Sequence, residues 1–244
     1  IRIVIGKELV EQYQNKNGLE NLYSSPDCLV QGDSDVEVTK EDGQERAFFM
    51  GRLIGKRSGM ERLDRMDATH SEIRKLLCSQ PIEECITVLE GRFLLVRIDK
   101  SSVCEIACDR FGQIDMYYQK IYQGAVFASD LDLLPFKHEA IKYDQAAVVH
   151  SLYVYGFRPP KKHTLYEGVR RLGVGEIGIW ENGQLSFGQL QPMIKTTEDY
   201  GKDHNEKYKD LFLDAVEKRS SSMGNIVYLS SGWDSTSILA SLVK

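Results

Sequence analysis

Four hydroxyls and one carboxylate crowd into a short stretch near the end of the chain: Ser230, Ser231, Ser235 and Thr236, with Asp234 among them and Gly232 at the centre. An apolar, β-prone run from Ile226 to Leu229 precedes them, and Ser235 to Leu242 can coil as a helix. Strand, tight turn and helix start together build an anion cradle. Backbone N–H groups and the positive end of the helix dipole converge there on a phosphate. The stretch is not a Walker A loop, because no Gly-Lys-Ser/Thr follows a four-residue spacer. Leu229, Ser230, Ser231, Gly232, Asp234, Ser235 and Thr236 are therefore read as a candidate pyrophosphate site, with Asp234 helping to hold a hydrated Mg²⁺. An ordinary strand-to-helix turn has the same local features, and at this level both readings stand.

Such a turn needs packed elements around it. Immediately upstream, Tyr208, Leu211, Phe212, Ala215 and Val216 fall at helical spacing, which predicts an amphipathic helix ending near Ser220–Gly224. Before that helix lies a polar, aperiodic linker. The rest of the chain is rich in hairpin signals. Strands are expected at Ile1–Ile5, Val36–Thr39, Arg46–Met50, Phe93–Ile98, Val103–Cys108, Met116–Tyr122 and Ala125–Ala128. Glu181–Asn182–Gly183, between Glu176–Trp180 and Gln184–Phe187, is the strongest turn signal. Short helices are expected at Ser71–Leu77 and Ile82–Leu89, the latter stopped by Gly91, and a third behind the N-cap Asp144, stopped at Gly156. Residues 6 to 35, polar and turn-rich, give no clear pattern.

Composition narrows the classes. A net charge of −5 argues against nucleic acid or an anionic membrane as partner. No apolar run reaches about 18 residues and no secretory pattern opens the chain, so a cytoplasmic enzyme is expected. The cysteines (Cys28, Cys78, Cys85, Cys104, Cys108) are scattered without CxxC spacing, and Cys104 and Cys108 read as small core residues. The histidines form no ligand pair, and a metal held by protein ligands alone is not expected.

The order of motifs resembles the asparagine synthase family, an amidotransferase-type domain followed by an ATP-pyrophosphatase domain. Gly91–Arg92–Phe93 resembles its central hairpin, and Cys108–Asp109–Arg110–Phe111–Gly112 with Met116–Tyr117–Tyr118 its "RDRFG…PLYY" segment. Phe127–Ala128–Ser129–Asp130 resembles "FASE". Tyr155–Gly156–Phe157–Arg158–Pro159 and Thr164 to Leu172 resemble "GYVP…TLFKGIRRL", and Leu229 to Ser235 stands where the family has "LSGGLDS". The resemblance implies an α+β four-layer αββα sandwich of the N-terminal-nucleophile type over residues 1–193 and a linker at 194–201. Residues 202–244 would begin an α/β parallel-sheet ATP-pyrophosphatase domain that is cut short at Lys244, so a fragment is expected.

The resemblance also implies chemistry. ATP and Mg²⁺ would activate a small-molecule carboxylate, by default aspartate, as its adenylate, and nitrogen from glutamine or ammonia would complete an asparagine-synthase-like carbon–nitrogen ligase reaction. A homodimer is compatible with it. The glutaminase residues depart from the family pattern. Ile1 opens the chain where the family has Cys, Met50–Gly51 stands at its oxyanion Asn-Gly, and His70 stands at the Asp of "SDTE". No catalytic residue is therefore assigned in the first domain. Two alternatives follow: a relative of β-lactam synthetases or lasso-peptide cyclases with a silent first domain, or a non-catalytic scaffold that senses nucleotide. Among single features, Asp109–Arg110 reads as a loop tie rather than a substrate pair, and Lys161–Lys162–His163 as a solvated loop face. Trp233 is open between stacking on adenine and packing the loop, and Ser231 between an ordinary φ and a distorted cradle.

Overall fold

Ile1 to Ile5 carries apolar side chains at odd and even positions alike, Arg2 apart, so a strand built from it must be covered on both faces. Every residue of strand β1 (Arg2–Ile5) is indeed buried. The computed structural model describes residues 1–14, 18–40, 46–58, 62–65, 76–77, 80–122, 124–135, 142–154, 156, 161–190 and 201–243. After β1 come α1 (Lys7–Tyr13), β2 (Glu20–Ser24), β3 (Cys28–Gly32), β4 (Val36–Lys40), β5 (Arg46–Ser58), β6 (Arg62–Arg65) and α2 (Ile82–Val88). Then follow β7 (Leu89–Ile98), β8 (Cys104–Cys108), β9 (Tyr117–Ile121), β10 (Gly124–Ala128), α3 (Gln145–Tyr153), β11 (Val169–Arg171), β12 (Glu176–Glu181) and β13 (Gln184–Gln189). The last helices are α4 (Lys202–Arg219) and α5 (Trp233–Leu242).

The strands form two antiparallel sheets, ordered β11-β9-β10-β1-β3-β2 and β13-β12-β8-β7-β5-β4, with β6 paired to β5. Three apolar clusters show how they stack. Ile3, Ile5, Val30, Phe48, Leu94, Val96, Ile106 and Phe127 fill the space between the sheets. Val4, Leu9, Val10, Leu29 and Val126 pack α1 on the outer face of the first sheet. Phe49, Ile82, Ile86, Phe93 and Leu95 pack α2 on the outer face of the second. The order is thus helix, sheet, sheet, helix, as expected of an α+β sandwich. Phe127 keys one sheet to the other. A Cβ built on Gly178 in β12 would lie 3.3 Å from its ring, so glycine leaves the ring its seat.

Several local expectations hold. Asp144 caps α3, its carboxylate accepting from the Ala147 N–H at 3.1 Å. Asn182 and Gly183 take φ of 49° and 77°, the left-handed pair that a two-residue hairpin demands. Cys104 and Cys108 are buried on the inter-sheet face.

Other expectations need correction. Gly91 does not stop the second helix: α2 ends at Val88 and Gly91 lies inside β7, which begins with no turn between. The unreadable residues 6 to 35 contain α1, β2 and β3. Ile226–Leu229 is not a strand. Ile226 and Tyr228 are 87% and 89% exposed, and among the described residues after Gln191 there is no strand to pair with. Helix α5 begins at Trp233, two residues earlier than expected, which moves Asp234 from the turn into the helix. His70, the turn at Glu41–Gln44, the linker at 191–200 and most of Ser71–Leu77 lie outside the described residues.

The chain divides into two compact units, Ile1–Gln191 and Pro192–Lys244. The second contains α4 and α5 and, among its described residues, no buried side chain. In α4 the rings of Tyr208 and Phe212 stack at 6.2 Å, and Lys218 pairs with Asp214 one turn earlier at 2.6 Å. Among the described residues no helix is long and apolar enough to cross a membrane.

Candidate functional site

In the first unit, the start of β1, the β3–β4 turn, the middle of β5 and the end of β10 meet at one end of the sandwich. They enclose a cleft of about 810 Å³. The Ile1 main-chain nitrogen lies 2.9 Å from Ser129 Oγ and 3.8 Å from Met50 Sδ. Antiparallel pairing makes this inevitable: Arg2 faces Ala128 across β1–β10, so the residues just before and just after that pair must meet. Met50 is set by its neighbour. Gly51 has φ +126°, and a Cβ there would fall 2.3 Å from the Arg92 carbonyl, so only glycine lets β5 approach β7 this closely.

The remaining walls are acidic. Asp33, Asp35, Glu37, Asp130 and Asp132 line the cleft, and among the described residues no Lys or Arg does. Two of these acids order their own turns: Asp33 accepts from the Asp35 N–H at 3.2 Å, and Asp130 from the Asp132 N–H at 3.0 Å. Among the described residues no three of His, Cys, Asp and Glu come close enough together to hold a metal ion. A negative, partly apolar cleft attracts cationic groups and repels a carboxylate. Of the sequence expectations, Ile1 and Met50 are brought together here. The acids were not foreseen, because they come from segments a hundred residues apart and share no spacing.

No described cysteine offers a nucleophile. Cys28, Cys85, Cys104 and Cys108 are all buried. Burial pushes the Cys85 thiol up to about 11 and the Cys108 thiol to about 12, far from the thiolate that attack requires.

The loop after β8 is built around Asp109, which is 2% exposed. Its carboxylate accepts from the N–H groups of Phe111 and Gln113 at 3.1 and 3.0 Å, so it ties the loop as expected. The solvated-face reading of Lys161–Lys162–His163 holds in part: Lys162 is exposed, whereas Lys161 and His163 are half-buried, and all three have partners. Lys161 donates to the Gly112 carbonyl at 2.8 Å and pairs with Asp115; Lys162 reaches Glu176 at 2.5 Å; and His163 Nδ1 lies 2.6 Å from Arg170. The buried carboxylate of Glu176 on β12 and the half-buried one of Asp115 in the loop draw the cations in. Burial raises the Asp115 carboxyl, but the Lys161 hydrogen bond and the charges of Lys161 and Arg171 outweigh it and hold it below the usual carboxylate range. A depressed folded value contributes stability above the unfolded pKa that is lost as pH falls through the folded one. Asp115→Asn is therefore expected to cost about 1 kcal/mol at neutral pH and to flatten the loss of stability below about pH 4. Urea midpoints across that range check it.

In the second unit, Ser230 and Ser235 lock the turn. The Ser230 N–H donates to Ser235 Oγ at 3.1 Å, the two hydroxyls lie 3.1 Å apart, and the Gly232 N–H donates to Ser230 Oγ at 3.2 Å. Thr236 Oγ1 donates to the Gly232 carbonyl at 3.0 Å. The helical ladder starts with the Thr236 N–H to the same carbonyl, so the N–H groups of Trp233, Asp234 and Ser235 precede it. Ser231 keeps an ordinary negative φ, and Gly232 is extended at −86°. Trp233 is 87% exposed and Leu229 60%, so the indole does not pack the loop against the helix. Asp234 sits in the first turn, where a carboxylate is favoured.

Comparison with known proteins places the first unit. No curated protein matches the chain. Among solved structures, the glutamine phosphoribosylpyrophosphate amidotransferase from B. subtilis complexed with ADP and GMP is 10% identical, with a TM-score of 0.37 over 66% of this chain and 32% of that one. A structure described as the allosteric regulatory enzyme of purine biosynthesis is 12% identical, with a TM-score of 0.41 over 78% of this chain and 42% of that one. The chain thus spans less than half the length of either. The glutamine amidotransferase domain family matches residues 68–208, more than half of the chain. That match, which covers α2, α3 and β7 to β13 and runs into the start of α4, shows that the chain belongs to the glutamine amidotransferase domain family.

Proposed function

We propose that the protein is an ATP-dependent amide-bond-forming synthetase of the asparagine synthase type, in which an amidotransferase-family domain precedes an adenylating one. The Ser230–Thr236 turn carries this reading. Three N–H groups ahead of the helical ladder and two interlocked hydroxyls sit at the start of α5, a set that fits an anion. When bound, ATP supplies the adenylyl group that activates a carboxylate, aspartate being the first acid to try. Ser230, Ser231, Gly232 and Ser235 bind the departing pyrophosphate, with Leu229 and Thr236 fixing the backbone on either side. The lone carboxylate of Asp234 fits a hydrated Mg²⁺ through its water shell rather than a protein-held ion.

A second reading concerns the nitrogen, and the Met50 thioether beside the acidic lining favours it. In this reading the amidotransferase-type cleft does not process glutamine, and nitrogen arrives as ammonia or as an amine of the substrate. Carboxylate-dependent ATP–pyrophosphate exchange by the full-length protein tests the first proposal. Exchange is expected with at least one acid, and Ser235→Ala is expected to lower it on the order of a hundredfold, the loss that follows removal of a preorganised donor. No exchange with any acid, together with no ATP binding, would overturn the proposal, whereas ATP binding without exchange would leave the nucleotide-sensing scaffold.

A further inference from the structure

Cys28 opens β3 and Cys104 opens β8, strands that belong to different sheets. Alternation along each strand decides where the thiols point. In β3, Cys28 and Val30 face the other sheet while Leu29 faces α1. In β8, Cys104, Ile106 and Cys108 face inward while Ala107 faces α2. Cys28 and Cys104 therefore lie in the layer between the sheets, 3% and 0% exposed. They share one end of it. Cys28 stands opposite Ile5 at the end of β1, and Cys104 stands opposite Trp180. The exposed Asp27 just before Cys28 and Trp180 beside Cys104 line one and the same cavity.

The two thiols are free and in contact. The Cys104 thiol donates to the Cys28 sulfur, and this hydrogen bond, together with burial, holds it well above the ordinary thiol range. Each cysteine is fixed by a tied turn. Ser25 Oγ accepts from the Cys28 N–H at 3.1 Å. Ahead of Cys104, the Asp99 carboxylate accepts from the Ser101 and Val103 N–H groups at 2.8 and 2.9 Å. Two thiols already in contact need only a small further approach to bond. Immunoglobulin sandwiches bridge their stacked sheets in this way beside a buried tryptophan, so such sheets can come close enough.

We propose that Cys28 and Cys104 are an oxidisable pair whose reversible disulfide staples the two sheets, formed by exchange with a low-molecular-weight disulfide such as oxidised glutathione. In the closed fold neither thiol reacts. Opening of the first residue of β3, next to exposed Asp27, lets the Cys28 thiolate attack one glutathione sulfur. The S–S bond of glutathione breaks and one glutathione thiolate leaves. While the strand end is open, Cys104 gives up its proton, and its sulfur displaces the second glutathione from Cys28. Two cysteine thiols become one disulfide, and one glutathione disulfide becomes two thiols that take up the two protons. The pair lies at the far end of β1 from the acidic cleft and outside the Ser230–Thr236 turn, so its test is independent of the adenylation reading.

Peptide mapping without reduction tests it. The full chain is equilibrated in glutathione buffers, with and without denaturing urea, and its remaining thiols are blocked before digestion. At one glutathione ratio the native chain is expected to carry at least about tenfold more Cys28–Cys104 link than the unfolded chain, with Cys85 and Cys108 recovered as free thiols. Oxidation is expected to raise the urea midpoint by about 1 M, and dithiothreitol to reverse both changes. Cys28→Ala is expected to abolish the link and the shift, whereas Cys108→Ala keeps both. The map is read on the unaltered sequence, so it decides the matter even where a variant fails to fold. Equal linkage in native and unfolded chains, a link dominated by any other pair, or an unchanged midpoint overturns the proposal.

Discussion

Gly51→Ala is expected to lower the stability of the first unit on the order of 4 kcal/mol, a substantial part of the roughly 5–15 kcal/mol a domain commonly has. Two costs combine. At φ +126° an L-residue is strained by about 1–3 kcal/mol. The new methyl group would also stand 2.3 Å from the Arg92 carbonyl and 2.8 Å from the Phe93 Cα. Both obstacles are backbone of the neighbouring strand, so no rotamer change relieves them, and forcing β5 and β7 apart adds about 1–3 kcal/mol. Gly91 meets Arg52 in the same way from the other strand, at 2.4 Å, so the contact is reciprocal. Gly18 supplies the control. Its φ is +127°, yet nothing lies within 4 Å of its Cβ position, so Gly18→Ala incurs only the strain. Urea denaturation of both variants separates the terms. Equal losses would mean that close strand approach does not position Met50.

The second expectation is functional: free glutamine gives no ammonia at the acidic cleft. Any amino acid substrate brings a carboxylate that needs a cation or a set of donors. Among the described residues the cleft lining has four aspartates and one glutamate and no Lys or Arg. At about 6 Å each like charge costs on the order of 0.7 kcal/mol even at the dielectric of water. Several of them together weaken a bound carboxylate by an order of magnitude or more. The oxyanion of an attacked amide needs a preorganised donor, and on β5 beside Ile1, across from the Ser129 hydroxyl, stands the Met50 sulfur, which is only a weak acceptor. Charge and donor chemistry thus point the same way, independently of any cysteine.

Much of the first unit was legible because its signals are local. An Asn-Gly pair dictates its turn, an Asp before an apolar period caps its helix, and alternating runs fold back as hairpins. The errors share a cause, since a strand is a relation between segments. Ile226–Leu229 has strand composition and no partner, whereas β3 has partners on both sides and a buried Gln31, so its composition hid it. Gln31 is affordable in the core because Arg2 donates to it at 2.8 Å and its own amide reaches Asn21 at 2.7 Å, a network that spacing cannot reveal. The site divided similarly. Met50 was found through motif order, but the acids around it come from the β3–β4 turn and the end of β10, which only the antiparallel pairing of β1 with both neighbours assembles. Lys161 and Lys162 looked solvated because their carboxylate partners are distant in sequence.

The most direct test of the account follows the nitrogen. The full-length protein, supplied with ATP, Mg²⁺ and the carboxylate that supports exchange, is assayed for amide product and for glutamate, with glutamine or with ammonium as the only nitrogen source. The account predicts product with ammonium, or with an amine carried by the substrate itself, and no glutamate from glutamine above background. Glutamate released in step with product when glutamine is the sole nitrogen source would contradict it.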